Sequence, residues 1–364
     1  MKLVIATPLY PPEIGGPATY ARLLEEGLPA HGIEVEIVKF SDVRYLPKII
    51  RHIAYYRNVL AAAREADIIL ALDPVSVGLP AMKVAKKLNR KFVVKIVGDY
   101  AWEQGRQRFG VTQKLDEFVR TKQSSWFVRR LQVIEKKVAD AADAILVPSE
   151  YLKRIVSSWG IPDDTVTVIY NAVPIEHIGT VPESVSALLQ PRVVTVGRLV
   201  PWKGIDRLIE GVWSARRDGS SASLVVVGEG PEATKLKNKA AQLLKDNYVF
   251  TGALSHEDTL AVIKSADIFV LNSSYEGLSH TLIEALHLGA SILATDVGGN
   301  AEVIVKGSGL IIKEGNQELL ASNLKLLIEH EDKRKELSEG TKIAAKRFVP
   351  ETMLYETATF LKTI

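Results

Sequence analysis

The sequence predicts an α/β chain of two doubly wound domains, and three observations carry that prediction. Short apolar runs rich in valine and isoleucine alternate with segments of helical periodicity through both halves, which implies parallel sheets with helices on both faces. The chain has 364 residues, enough for two domains that each bury a core. Several runs end in glycine-bearing polar loops, where an open α/β sheet takes its ligands.

In the first half the strands are Leu3–Ala6, Val35–Phe40, Ile68–Leu72, Phe92–Val97, Ala144–Val147 and Val166–Ile169. The first ends at Pro8 and lacks a small-residue cleavage site, so it reads as a strand rather than a signal peptide. After it comes Pro11-Pro12-Glu13-Ile14-Gly15-Gly16-Pro17, then a helix from about Ala18 to Ala30. Gly15 and Gly16 let backbone N–H groups approach an anion, and the helix N-terminus adds a favourable dipole. The Gly-x-Gly-x-x-Gly spacing of a dinucleotide site is absent.

Two stretches of this half are basic. Arg44, Lys48, Arg51, His52 and Arg57 occur with no acid between Val43 and Ala63; on a helix Arg44, Lys48 and Arg51 fall on one side, and Ile49, Ile50, Ile53 and Leu60 on the other. From Gly105 to Arg130, Arg106, Arg108, Lys114, Arg120, Lys122, Arg129 and Arg130 face only Asp116 and Glu117, with Trp102, Phe109, Phe118, Trp126 and Phe127 interleaved. The pattern fits an anionic membrane surface or a phosphorylated acceptor, and equally a solvated helix face over an ordinary core.

The proline-, glycine- and serine-bearing stretch 175–190 reads as a linker, dividing residues 1–174 from a second domain at 191–346 and a tail at 347–364. The second set of strands is Val193–Val196, Leu224–Val227, Tyr248–Phe250, Ile268–Leu271, Ile292–Ala294 and Leu310–Ile312. Gly197-Arg198 and Lys203-Gly204 set two cations just before a helix from Ile205, a combination suited to a diphosphate. Val227-Gly228-Glu229-Gly230-Pro231 suffices as a turn with proline at a helix start. Asn272 to Gly277 leaves the fourth strand as a loop, and a helix follows from Ser279 with Leu282, Ile283, Leu286 and Leu288 as its apolar positions. This sets Glu276 in the loop and Glu284 in the helix, two carboxylates able to accept hydrogen bonds from sugar or ribose hydroxyls.

Val193 to Gly204, the run Leu271 to Glu284 and Ala294-Thr295-Asp296-Val297-Gly298-Gly299-Asn300-Ala301-Glu302-Val303-Ile304 together resemble the retaining, nucleotide-sugar-dependent glycosyltransferases of family four. The resemblance runs from the Gly15-Gly16 loop to the last helix. It implies the GT-B fold: two Rossmann-like domains facing a central cleft, an N-terminal acceptor-side domain and a C-terminal nucleotide-sugar domain, with the final helix crossing back to the first. It implies a hexosyl transfer from a nucleoside diphosphate sugar, UDP- or GDP-linked, to a hydroxyl on a glycan, lipid carrier or small molecule. Residue by residue, Arg198 and Lys203 neutralise the diphosphate, Glu284 takes the ribose hydroxyls, and Glu276 the donor sugar, with Gly277 and Leu278 offering backbone N–H groups. Gly15, Gly16 and Gly197 join the donor site, and Thr251-Gly252-Ala253-Leu254 lies beside the base through backbone groups. Many relatives carry a histidine where this chain has Gly98; Asp99 is then the candidate for contacting the acceptor hydroxyl, and a turn cap is its alternative role.

The resemblance further implies retention by front-face attack, with the leaving phosphate oxygen taking the acceptor proton and Glu276 no covalent nucleophile. No metal or other cofactor is expected, since no Asp-x-Asp or histidine cluster appears and Arg198 with Lys203 can serve in its place. A glycoside hydrolase also uses two carboxylates, but cations at a diphosphate-like loop argue against it; a nucleotide-sugar epimerase of the same fold and a two-domain sugar-binding protein are the alternatives. Composition narrows the rest. Apolar residues at 47% and charged residues at 24% describe a globular chain, and no apolar run approaches a membrane span. Zero cysteines exclude disulfides, thiolate metal sites and cysteine nucleophiles. The net charge of +3 divides as 25 Lys/Arg against 21 Asp/Glu up to Gln190 and 21 against 22 beyond, too slight a bias for nucleic acid. The expected location is cytoplasmic, with a peripheral position on the inner membrane face as an extension.

Overall fold

The computed structural model describes residues 1–13, 15–121, 125–217 and 219–364, together with all their side chains except that of Lys48. Ile14, Lys122 and the Lys48 side chain, named above, lie outside the described residues. The chain divides into two compact units, Met1–Asn171 with Pro350–Ile364, and Ala172–Val349.

The first unit holds six parallel strands, β1 (Lys2–Thr7), β2 (Glu34–Lys39), β3 (Ile68–Ala71), β4 (Lys91–Lys95), β5 (Ala144–Val147) and β6 (Val166–Val168), in the order β2-β1-β3-β4-β5-β6. Its helices are α1 (Gly16–Gly27), α2 (Lys48–Ala62), α3 (Gly78–Leu88), α4 (Tyr100–Arg108), α5 (Leu115–Phe118), α6 (Trp126–Asp140) and α7 (Glu150–Ser158). Most of the strands are runs of valine, isoleucine and leucine because both faces are covered; β3 and β5 are buried at every position, whereas the edge strand β2, Glu-Val-Glu-Ile-Val-Lys, alternates polar and apolar residues. The chain's last helix (Pro350–Thr363) returns to this unit and packs on α1, where Gly27 leaves room for Leu354.

Helix α2 departs from the expected orientation. It begins at Lys48, so Arg44 lies outside it, and Ile49, Ile50 and Ile53 are exposed at 77%, 53% and 50%. The helix docks instead through Tyr55 and Val59, both fully buried, because the Tyr55 hydroxyl donates to the Val38 carbonyl at 2.9 Å and its ring packs edge-on against Phe40. The aromatic residues of the second basic stretch also divide: Trp102 and Phe118 are core, whereas Trp126 and Phe127 are more than half exposed.

The second unit repeats the architecture with β7 (Arg192–Val196), β8 (Ser223–Val227), β9 (Tyr248–Gly252), β10 (Ile268–Leu271), β11 (Ile292–Thr295) and β12 (Leu310–Ile312), ordered β12-β11-β10-β7-β8-β9 and parallel throughout. Its helices, in chain order, are α8 (Glu183–Ser186), α9 (Ile205–Arg217), α10 (Ala233–Leu244), α11 (His256–Lys264), α12 (His280–His287), α13 (Asn300–Val303), α14 (Gln317–Glu329) and α15 (Glu331–Ala345); the C-terminal helix is α16. The chain turns outward in both directions from the β7–β10 pair, so the order reverses there. In a doubly wound sheet that reversal opens a crevice beyond the carboxyl ends of the two central strands, the place where ligands bind.

Candidate active site

Strand β7 ends at Val196 and strand β10 at Leu271, so the loops that follow them flank this crevice. The first carries Gly197, Arg198 and Lys203; the second carries Glu276, Gly277 and Leu278 and runs into α12, which bears Glu284. Backbone contacts hold the two loops together. Gly204 sits in the left-handed region at φ 60°, and a Cβ there would collide with the Asn272 carbonyl; the Asn272 side chain donates back to the Gly204 carbonyl at 2.8 Å, and Ser274 N–H donates to the Trp202 carbonyl at 2.7 Å.

This lacing brings Lys203 to Glu276. Lys203 Nζ donates to Glu276 Oε1 at 2.5 Å, and Ser273 Oγ donates to the same oxygen at 2.6 Å. The pair is largely shielded, the side chains being 18% and 12% exposed. One of the two expected phosphate cations is therefore neutralised by the expected sugar-binding carboxylate. Arg198 is different: it is exposed, and among the described residues no ion pair engages its guanidinium. A third loop fixes the Glu276 backbone. Gly298 lies at φ 57°, where a side chain would collide with the Glu276 carbonyl, and Gly299 N–H donates to that carbonyl at 3.3 Å.

Helix α12 is capped by Ser279, whose hydroxyl accepts from Leu282 N–H at 3.4 Å, and this sets Glu284 one turn in. Glu284 is 6% exposed and accepts from His256 Nε2 at 2.9 Å. His256 is a site residue that sequence reading did not single out. Its only signal is position: it opens α11 directly after the loop that follows β9.

The family model described as Glycosyltransferase Family 4 matches residues 14–177, and that described as Glycosyl transferases group 1 matches residues 182–343. The chain belongs to the family 4 glycosyltransferases. An uncharacterized glycosyltransferase of Methanocaldococcus jannaschii, MJ1069, is 29% identical over 228 residues, 60% of this chain and 57% of its own. A GDP-mannose-dependent alpha-(1-6)-phosphatidylinositol monomannoside mannosyltransferase of Mycobacterium tuberculosis is 28% identical over 194 residues, 49% of this chain and 50% of its own. The chain thus spans about half the length of such relatives. Among solved structures, Anabaena Alr3699/HepE in complex with UDP and glucose matches over 100% of both chains with a TM-score of 0.77 at 19% identity. Sucrose-phosphate synthase from Thermosynechococcus elongatus matches 100% of this chain and 98% of its own, with a TM-score of 0.77 at 17% identity. At these identities the likeness is one of fold, and the fold is GT-B.

Gly15, Gly16 and Asp99 belong to the first unit. Gly15 is the residue before α1, at φ 152°, and its carbonyl accepts from Ala18 N–H at 3.0 Å. Asp99 is the N-cap of α4: it is 1% exposed and accepts from Trp102 N–H at 2.7 Å. Glu135 of α6, also 1% exposed, accepts from the Tyr100 and Ala101 N–H groups of the same helix start, at 2.5 and 3.2 Å. Burial pushes both carboxyls above their ordinary range, and their mutual repulsion pushes Glu135 further. Lys95, at the end of β4, is 1% exposed, and its Nζ has no hydrogen-bond partner among the described residues; the Nζ sits 3.9 Å from the centre of the Tyr20 ring, and burial lowers its pKa to about 7. Among the described residues no group of three or more His, Asp or Glu side chains could hold a metal ion, and no helix is long and apolar enough to cross a membrane.

Proposed function

We propose that the protein transfers a hexosyl group, with retention, from a UDP- or GDP-sugar to a hydroxyl on a glycan, lipid carrier or small molecule. One observation carries the reading: the loops after β7 and β10, joined by backbone contacts at the reversal of strand order, carry an unpaired Arg198 and the Lys203–Glu276 pair, and the helix that follows the second loop carries the buried Glu284. Arg198 and Lys203 take the diphosphate, Glu276 the sugar and Glu284 the ribose. Cations preorganised where charge builds on a leaving group act most strongly where water is excluded. Glu276 already accepts two hydrogen bonds on one oxygen, which disfavours it as a covalent nucleophile and favours attack from the face of the departing phosphate. The reaction runs without a metal, so turnover survives EDTA. Structural neighbours solved with UDP and with UDP-glucose agree with the donor class.

The reading extends to a peripheral position on the cytoplasmic face of an anionic membrane. Ile49, Ile53, Lys83 and Arg130 line a groove of about 800 Å³ between α2, α3 and α6, and Trp126 and Phe127 are exposed beside it on α6. Apolar side chains rimmed by cations are the composition that binds acidic lipid surfaces, and relatives act on phosphatidylinositol- and undecaprenol-linked acceptors.

The test is thermal stabilisation by UDP, GDP, ADP and their sugars, run on the wild type, Glu284→Ala and Arg198→Ala. A ligand at a hundredfold excess over its Kd stabilises by about 2.7 kcal/mol. Stabilisation by one nucleotide class that both variants lose supports the proposal; stabilisation by free sugars alone overturns it.

A further inference from the structure

Glu284 is buried, and among the described residues the single side chain engaging its carboxylate is His256, through Nε2 to Oε1 at 2.9 Å. A carboxylate only accepts, so the imidazole donates, which fixes Nε2 as the protonated nitrogen. The other carboxylate oxygen is left open. His256 is itself held from the far side. It is the first residue of α11, whose cap Ser255 accepts from Asp258 N–H at 3.0 Å. Asp258 Oδ1 in turn accepts from Thr180 N–H at 2.9 Å, and the Glu257 carbonyl accepts from Gly179 N–H at 2.9 Å. The first turn of α11 is thereby pinned to the 179–180 stretch of the connecting segment, and it presents His256 to α12.

We infer that His256 is a positioning residue for the nucleotide, holding one oxygen of Glu284 so that the other faces the ribose hydroxyls. The inference rests on the ribose-binding role proposed for Glu284. Its physical basis is preorganisation: a glutamate with three free torsions loses entropy when a ligand orders it, and a carboxylate already hydrogen-bonded loses less. The groups facing His256 are all acidic, namely Glu284 from α12, Glu257 from its own helix and Glu176 from the connecting segment, and they favour the imidazolium. The hydrogen bond to Glu284 is the largest influence and raises the His256 pKa above its ordinary value, against the lowering effect of partial burial.

Isothermal titration with UDP and with GDP tests this on the full chain for the wild type, His256→Ala, His256→Gln, Glu284→Ala and the double variant His256→Ala/Glu284→Ala. His256→Ala should weaken the nucleotide that binds by roughly tenfold, the equivalent of about 1.4 kcal/mol, a modest value because His256 is 48% exposed. His256→Gln, whose amide N–H can replace Nε2–H, should recover most of the loss. In the Glu284→Ala background His256→Ala should do nothing more. A proton NMR titration reads the pair without ligand: the His256 pKa should lie above 6.5 and fall in Glu284→Gln. Equal losses in the alanine and glutamine variants, or additive losses with Glu284→Ala, would mean a merely structural role and overturn the inference. If Glu284→Ala weakens binding and the His256 variants do not, this inference alone fails. If Glu284→Ala binds like the wild type, or neither nucleotide binds at all, the ribose reading fails and takes this one with it.

Discussion

Replacing Lys203 with methionine keeps the length of the side chain and removes its charge. In the structure this breaks a 2.5 Å bond to Glu276 whose partners are 18% and 12% exposed, so solvent screens it little. Hydrogen bonds to charged groups contribute roughly 1.5–3 kcal/mol, and Ser273 keeps Glu276 partly satisfied; the stability of the second unit should therefore fall within that range. Glu276→Gln removes the charge from the other end and keeps an acceptor oxygen. The two losses should not add, and a double-mutant cycle by urea unfolding should return a coupling energy of about 1.5–3 kcal/mol. Turnover separates the structural role from the catalytic one. A cation facing a developing phosphate charge is worth about 10²–10³ in kcat, by analogy with losing one oxyanion donor. Lys203→Met should lose that much kcat while the donor KM moves far less, because the charge Lys203 meets is largest in the transition state. A kcat within threefold of the wild type, or stability losses that simply add, would refute the reasoning.

Lys95→Met should stabilise the first unit. Burial lowers the lysine from 10.5 to about 7, so between those values the unfolded chain holds a proton that the folded one does not, and stability rises with pH across that window. The gain should therefore be largest below pH 7, offset in part by the lost cation–π contact with Tyr20, worth about 2 kcal/mol when desolvated, and should fade toward pH 10.5. Melting curves from pH 6 to 10 check it, and a gain independent of pH would contradict the assignment. Gly298→Ala should reduce turnover at least tenfold, since the added methyl displaces the Glu276 carbonyl, while costing about 1–3 kcal/mol of stability at a left-handed position; paired kinetics and melting check both. Co-sedimentation with vesicles of mixed phosphatidylcholine and phosphatidylglycerol should be seen at low salt and lost on raising it, and should be weakened by Ile53→Asp or Arg130→Glu with nucleotide binding unchanged. Equal binding to phosphatidylcholine alone would remove the charge argument.

The strands were legible because most are short runs rich in valine, isoleucine and leucine, the mark of a strand covered on both faces; the edge strand β2, with Glu34 and Glu36 between apolar residues, is the exception. What local pattern does not encode is which strands become neighbours. The order that makes β7 adjacent to β10 depends on long-range packing, and it is this order that brings Lys203 to Glu276, 73 residues away. Their charges were visible in sequence and their mutual neutralisation was not. Helix α2 shows the same limit at smaller scale. It carries two apolar stripes, and periodicity cannot tell the isoleucines from Tyr55 and Val59; a single hydroxyl bonding the Val38 carbonyl decides between them. His256 was silent because its chemistry depends on one partner 28 residues on.

The Lys203–Glu276 bond bears on how a donor enters. On the proposed reading the diphosphate draws Lys203 toward itself and the sugar engages Glu276, so both partners of the resting pair change allegiance together. A nucleoside diphosphate alone takes the lysine and leaves Glu276, only 12% exposed, short of its strongest partner; leaving a buried acceptor unsatisfied costs about 1–3 kcal/mol, more for a charged one. The intact nucleotide sugar offsets that cost with its own hydroxyls. It should therefore bind more tightly than the matching diphosphate by at least tenfold, and Glu276→Ala, which has no carboxylate to strand, should bind the diphosphate better than the wild type while losing the preference for the sugar. Calorimetry with both ligands on both proteins measures it. A Glu276→Ala variant that keeps the full preference would mean that the sugar is held elsewhere and that the ion pair serves the loop alone.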